Sequence, residues 1–246
     1  MPALETIQFA NDHSAALLRV KRETSAGEII RILALPPPHA TLCLNGGTAE
    51  LEPELKAQLE KLLVDGVART AAAEKLTLLT GGTDAGIFAL LGSGLAKWGR
   101  MAPCIGVVPE GLVAVPGRAG GDTPLEPHHS HFVLVEGREW GDETATMSAL
   151  AGELSRERPY VVVFAGGGAI TVREMLANTR GGRQMILLAG SGRKTDAVLA
   201  VKNGGSAEDE MIAEIAERGR IFPFDMREGA EQLGRLIRLR LGLAPR

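Results

Sequence analysis

The residues whose types and spacing carry the clearest chemistry are glycines followed by small hydroxyls. Gly46-Gly47-Thr48, Gly81-Gly82-Thr83-Asp84-Ala85-Gly86, Gly166-Gly167-Gly168 with Thr171, and Gly190-Ser191-Gly192-Arg193 each follow a short apolar run and precede a helix-like pattern. Glycine lets a ligand lie against the main chain. A helix N-terminus adds unpaired amides and the positive end of a dipole. Together these make an anion site. A single loop of this kind is explained by tight turning alone; four of them point to a shared ligand. Neither the lysine-bearing phosphate loop nor a G-x-G-x-x-G fingerprint occurs, which disfavours a P-loop NTPase and an ordinary dehydrogenase.

The side chains beside the loops suggest how such a ligand is read. Thr48, Thr83, Thr171 and Ser191 offer hydroxyls. Asp84 either caps a helix or accepts from a ribose hydroxyl. Arg193 reads either as a surface arginine in a helix's first turn or as a fork onto a phosphate; a cation in that turn gains nothing from the dipole, which favours the ligand role. Glu174 stands three residues after Thr171, which reads either as a capping box or as a carboxylate facing the ligand's sugar. His128, His129 and His131 lack the converging partners of a metal site, so no metal is expected; one of them is expected at the crevice wall. Trp140-Gly141-Asp142-Glu143 reads as a turn and helix start, its acids favouring the first turn.

The elements that must position these residues follow a repeating grammar. Continuous apolar runs at Thr41–Leu44, Leu76–Leu79, Pro103–Val108, His131–Val135, Tyr160–Phe164 and Met185–Leu188 alternate with helical patterns. This predicts βαβ units and a mainly parallel sheet covered on both faces. Further helices are predicted over Pro53–Ala72, Thr171–Asn178, Ala207–Arg218 and Gly229–Leu241, with a last strand at Ile221–Phe224. Right-handed crossovers bring the strand ends to one edge. Pro36-Pro37-Pro38 marks a boundary. Residues 1–40 read as a small appendage of two strands and one helix, and residues 41–246 as the main domain.

The bulk composition agrees with one α/β core. The chain has 246 residues, 45% of them hydrophobic, and 31 are glycine, well above the usual share of about 7%. The net charge of −3 gives no bulk attraction to nucleic acid or acidic membranes. Cys43 and Cys104 are expected to be free buried thiols. The first ten residues lack the pattern of a signal peptide, and no run of eighteen apolar residues exists, so the expected location is the cytoplasm.

Several motifs, taken in order, resemble a known family. They are Gly46-Gly47, Thr80 to Ile87, the stretch Leu125-Glu126-Pro127-His128-His129-Ser130-His131 continuing to Val135, and Gly190 to Ala197. This arrangement resembles the nucleotide-sensing (LSDAT) region of melastatin-type transient receptor potential channels. Prokaryotic relatives of that region belong to the SLOG superfamily, with the Lonely Guy phosphoribohydrolases and the Smf/DprA proteins. The resemblance implies a Rossmann-like three-layer sandwich and an ADP-ribose-like or other nucleotide-derived ligand, with no other cofactor required. It implies ligand contacts from Thr80–Gly86 and Arg193, and a homo-oligomer formed through helices beside the site. Gly167 to Glu174 also keeps the spacing of the phosphoribohydrolase motif, with Glu174 matching its catalytic glutamate. Ala165 and Ile170 depart from that motif, and its partner arginine motif is not recognisable. Three functions follow: a nucleotide sensor, an N-glycosidic hydrolase of nucleoside phosphates, and a DNA-handling protein, the last lacking a basic stripe.

Overall fold

The computed structural model describes residues 4–49, 51–118, 120–207 and 209–244. Nine strands form one sheet in the order β1 (Leu4–Gln8), β2 (Ser14–Val20), β8 (His131–Val135), β5 (Cys104–Pro109), β4 (Thr77–Thr80), β3 (Thr41–Gly46), β9 (Tyr160–Ala165), β10 (Gln184–Ala189) and β11 (Arg220–Asp225). Every neighbouring pair in it is parallel except β1 with β2. A separate short pair, β6 (Val113–Ala114) and β7 (Thr123–Pro124), lies between β5 and β8 in the chain.

The strands are apolar without interruption because both faces are covered. Val162 and Phe164 of β9 point to one layer, with α1 (Ala26–Ile32), α5 (Thr144–Leu154), α6 (Ala169–Arg180), α7 (Arg193–Lys202) and α8 (Glu210–Arg218). Val161 and Val163 point to the other, with α2 (Pro53–Lys61), α3 (Arg69–Glu74), α4 (Gly86–Trp98) and α9 (Ala230–Arg240). This is the Rossmann-like three-layer sandwich. The expected helix over Pro53–Ala72 is continuous, but its middle, Leu62–Ala68, is a π-helical stretch. It packs against α4 and α9. There Gly94 of α4 admits Ala68 and Val64, and Gly66 admits α9 at Ala230 and Leu233.

The small appendage of the first forty residues is joined to the sheet. Its β2 pairs with β8 over five positions, and Ile29 of α1 is buried in the layer that holds α5. The amphipathic last helix, α9, turns Leu233 and Ile237 into the core and leaves Leu239 exposed. Cys43 and Cys104 are free and buried. Among the described residues, no helix is long and apolar enough to cross a membrane.

The strand order sets the place of the site. From β3 the chain builds outward through β4, β5 and β8, then returns to lay β9 on the other side of β3. Ligands of open α/β sheets bind at such a reversal, outside the carboxyl ends of the strands. Here Gly46 at the end of β3 sits beside Ala165 at the end of β9.

Candidate functional site

A cavity of about 360 Å³ opens over the carboxyl ends of β3, β4 and β9. Of the residues singled out from the sequence, Gly46, Gly47, Thr48, Gly81, Thr83, Gly168, Thr171, Glu174 and Arg193 line it. A second cavity of about 260 Å³ adjoins it, lined by Gly47, Gly166, Gly167, Ser191, Gly192 and Arg193 together with apolar side chains of α2 and α4. The four loops therefore meet around one crevice.

Four of the expected residues line neither cavity. Gly82 packs on Gly106 of β5, where a side chain has no room. Gly86 has φ +50 and lies against the backbone of Gly47 and Thr48. Gly190 gives its amide to Asp196 Oδ1 at 2.9 Å. Asp84 is exposed and caps no helix; α4 begins after Ala85 without a side-chain cap. Partial desolvation by the surrounding loops, and then Glu126, raises its carboxyl above the ordinary range.

The loops are tied to one another by buried hydrogen bonds. Ser191 Oγ accepts from the Gly166 amide at 2.9 Å and donates to Leu188 O at 2.6 Å. Thr195 Oγ1 donates to Gly166 O at 2.8 Å. Asp196 accepts from the amides of Gly190 and Gly192, which shapes the turn before α7. Ser191 thus lines the second cavity with its hydroxyl already engaged.

Arg193 stands where the two cavities meet. Its φ is +55, a conformation costly for a side-chain-bearing residue and one that gathers at functional positions. It is exposed, and among the described residues no carboxylate pairs with it. Thr83 also lines the first cavity: it is 2% exposed, and among the described residues its hydroxyl has no hydrogen-bond partner.

The first cavity also carries acidic and aromatic side chains. Glu174 is not part of a capping box. Helix α6 starts at Ala169 after Gly168, so Thr171 lies inside its first turn and caps nothing. Glu174 is half-buried instead and faces the cavity with Glu143. Burial, reinforced by Glu143 and opposed by Arg173, pushes Glu174 up to about 8. Burial likewise raises Glu143, against the amides that bind its charged form. One of those is Gly141 N, at 2.8 Å. The acids of the Trp140–Glu143 turn therefore do not serve the first turn of α5. Asp142 binds the amides of Arg138 and Glu139 and pairs with Arg22.

Trp140 and Glu143, which the sequence places in a turn and helix start, line the first cavity with Phe88, Met147 and Ile170. Trp140 is 44% exposed although it is a large aromatic.

None of the three histidines lines the crevice. His129 is fully buried behind β4, with Nε2 2.7 Å from Thr80 Oγ1 and Nδ1 2.7 Å from Glu126 Oε2. His128 holds the other oxygen of Glu126 and reaches the β1–β2 turn at Asn11. His131 Nδ1 lies against Ser130 Oγ, and burial with Arg100 nearby lowers it to about 4. The histidine cluster fixes the loop after β4 from behind instead of meeting a ligand.

The Rossmann-like α/β fold agrees with the comparisons to known proteins. The family model described as SLOG in TRPM, prokaryote, matches residues 39–234, and the chain belongs to that family. Its relatives include transient receptor potential cation channel subfamily M member 2 of Mus musculus, 23% identical over 75% of this chain and 15% of the channel. Another is the subfamily M member-like 2 protein of Nematostella vectensis, 23% identical over 77% of this chain and 15% of its own length. The chain thus spans about 15% of the length of the curated relatives it matches. The family match begins two residues before β3 and leaves out β1, β2 and α1.

Proposed function

We propose that this protein binds a nucleotide-derived ligand of the ADP-ribose kind and reports its presence without consuming it. The observation that carries this reading is Arg193, an unpaired guanidinium in a left-handed conformation between two cavities floored by glycine loops. A ligand phosphate supplies the partner it lacks. The amides at the start of α6 add to the anion site. Trp140 offers a ring face to a base, and Thr83, Glu143 and Glu174 offer acceptors to sugar hydroxyls.

A thermal-shift screen of nucleotides including ADP-ribose tests this, because a ligand of the folded state raises the melting temperature by mass action. Stabilisation by ADP-ribose that is lost in Arg193→Ala supports the reading. No shift with any nucleotide at millimolar concentration contradicts it.

A second reading is favoured by Glu174. A carboxyl held near pH 8 beside a second carboxylate is suited to donate a proton to a leaving group. In that reading the protein cleaves an N-glycosidic bond of a nucleoside phosphate: the base leaves with the proton from Glu174, and water adds to the sugar carbon and returns its own proton to that carboxylate. Chromatography after long incubation separates the readings: intact ligand fits the sensor, free base lost in Glu174→Gln fits the hydrolase. We also infer a homo-oligomer formed beside the site and no cofactor beyond the ligand. Light scattering giving a monomer at high concentration contradicts the former.

A further inference from the structure

Arg193, Gly47 and Ala49 line both cavities, so an anion held at Arg193 has room on two sides. The two sides differ in chemistry. The first carries Glu143, Glu174, the unpartnered Thr83 hydroxyl and the Trp140 ring. The second is walled by Leu51, Leu55 and Leu59 of the segment entering and forming α2, and by Ile87 of α4. Among the described residues its polar lining comes from Glu52, Arg193 and the Gly166–Gly167 and Ser191–Gly192 turns, and the Ser191 hydroxyl is already used by Gly166 and Leu188. Glu52 stands at its rim, exposed, and disfavours an anion there. Leu51 and Leu55 are only half-buried, so they keep apolar surface for something else to cover.

We propose that this second chamber is a subsite for an uncharged, weakly polar arm attached to the ligand's phosphate. This rests on the nucleotide reading of the first chamber and narrows it. A phosphate with a nucleoside on one side and a second substituent on the other must be a bridging group. The ligand class is then a nucleotide esterified on its phosphate or diphosphate, not a free mononucleotide. The hydroxylated nucleoside arm lies towards Glu143 and Glu174, the bridge at Arg193, and the less polar arm between α2 and the loops after β9 and β10.

Calorimetry with adenosine 5′-diphosphate and with its benzyl ester on the terminal phosphate tests the assignment. The ester is expected to bind wild type about tenfold tighter than the free diphosphate, equivalent to ~1.4 kcal/mol. Leu55→Trp, which fills the chamber, is expected to remove that advantage and leave the free diphosphate within about twofold of wild type. Leu51→Asp, which places a charge in the wall, provides the same check should Leu55→Trp misfold. If the free diphosphate binds but the ester binds no tighter, or if the advantage survives both variants, the second subsite is wrong. If neither compound binds wild type, the nucleotide reading itself falls, and the subsite with it.

Discussion

The Nε2 of His129 lies 2.7 Å from the hydroxyl of Thr80, which accepts the amide of Gly82 at 2.9 Å. One buried ring thus holds the start of the loop that carries Thr83 into the crevice. Glu126 completes the arrangement from behind His129, and its own amide donates to Gly82 O at 2.9 Å. Burial opposes the charged forms of both. It is outweighed at His129 by the Cys104 sulfur and Glu126, which push the imidazole up to about 10. At Glu126 the two histidines hold the carboxyl below its usual range.

His129→Ala takes from the buried Glu126 one of its two imidazole partners and leaves its Oε2 with only the His128 amide, a loss of roughly 1.5–3 kcal/mol for a hydrogen bond to a charged group. Urea unfolding of the variant at neutral pH checks this. Because His129 is raised in the folded state, its stabilising effect is complete below about 6.5 and is lost as pH rises towards about 10. The stability gap between wild type and His129→Gln should therefore narrow across that window. A gap that widens with pH contradicts the charged pair.

Gly92 of α4 faces the Glu126 carboxylate so closely that a Cβ has no room. Alanine in a helix is ordinarily favoured over glycine by about 0.8–1.0 kcal/mol. Gly92→Ala is nevertheless expected to destabilise by about 1–3 kcal/mol, the usual cost of overpacking. A melting temperature above wild type overturns this.

Ser191 links the ends of β9 and β10 through two buried hydrogen bonds. Ser191→Ala orphans the Gly166 amide, at a cost of about 1–3 kcal/mol. The loss should appear in chemical denaturation, and amide exchange should quicken at Gly166 and its neighbours. Unchanged exchange there contradicts the linking role.

Glu174 gives a pH signature of the crevice. Its folded-state value near 8 lies above the ordinary 4.5, so the folded protein binds the extra proton more readily. The stability due to this group is full below about 4.5 and declines as pH rises towards 8. Wild type measured against Glu174→Gln should lose relative stability across that range and level off above it. A flat difference shows that the carboxyl is not strained by its surroundings.

Much of this arrangement is legible in the residues. The runs at β3, β4, β9 and β10 are apolar because parallel strands are covered twice, and the glycines that follow mark where each turns into a helix. The start of α6 is less legible: Gly168-Ala169-Ile170 carries no capping side chain, while Thr171 and Glu174 imitate a capping box by spacing alone. Trp140 and Glu143 follow β8, three strands from β3 in the sheet. They reach the crevice only because the chain crosses back from β8 to β9, which no local spacing records. The π-helical stretch at Leu62–Ala68 is likewise set by its packing on α4 and α9, not by a signal of its own.

The central claim is that Arg193 grips a ligand phosphate, and calorimetry of ADP-ribose with wild type, Arg193→Ala and Arg193→Lys tests it most directly. A lost charge-assisted hydrogen bond costs roughly 1.5–3 kcal/mol. Arg193→Ala should therefore bind on the order of 10- to 100-fold more weakly, and Arg193→Lys should recover only part of the loss because an ammonium cannot fork. Equal affinity in all three proteins contradicts the account.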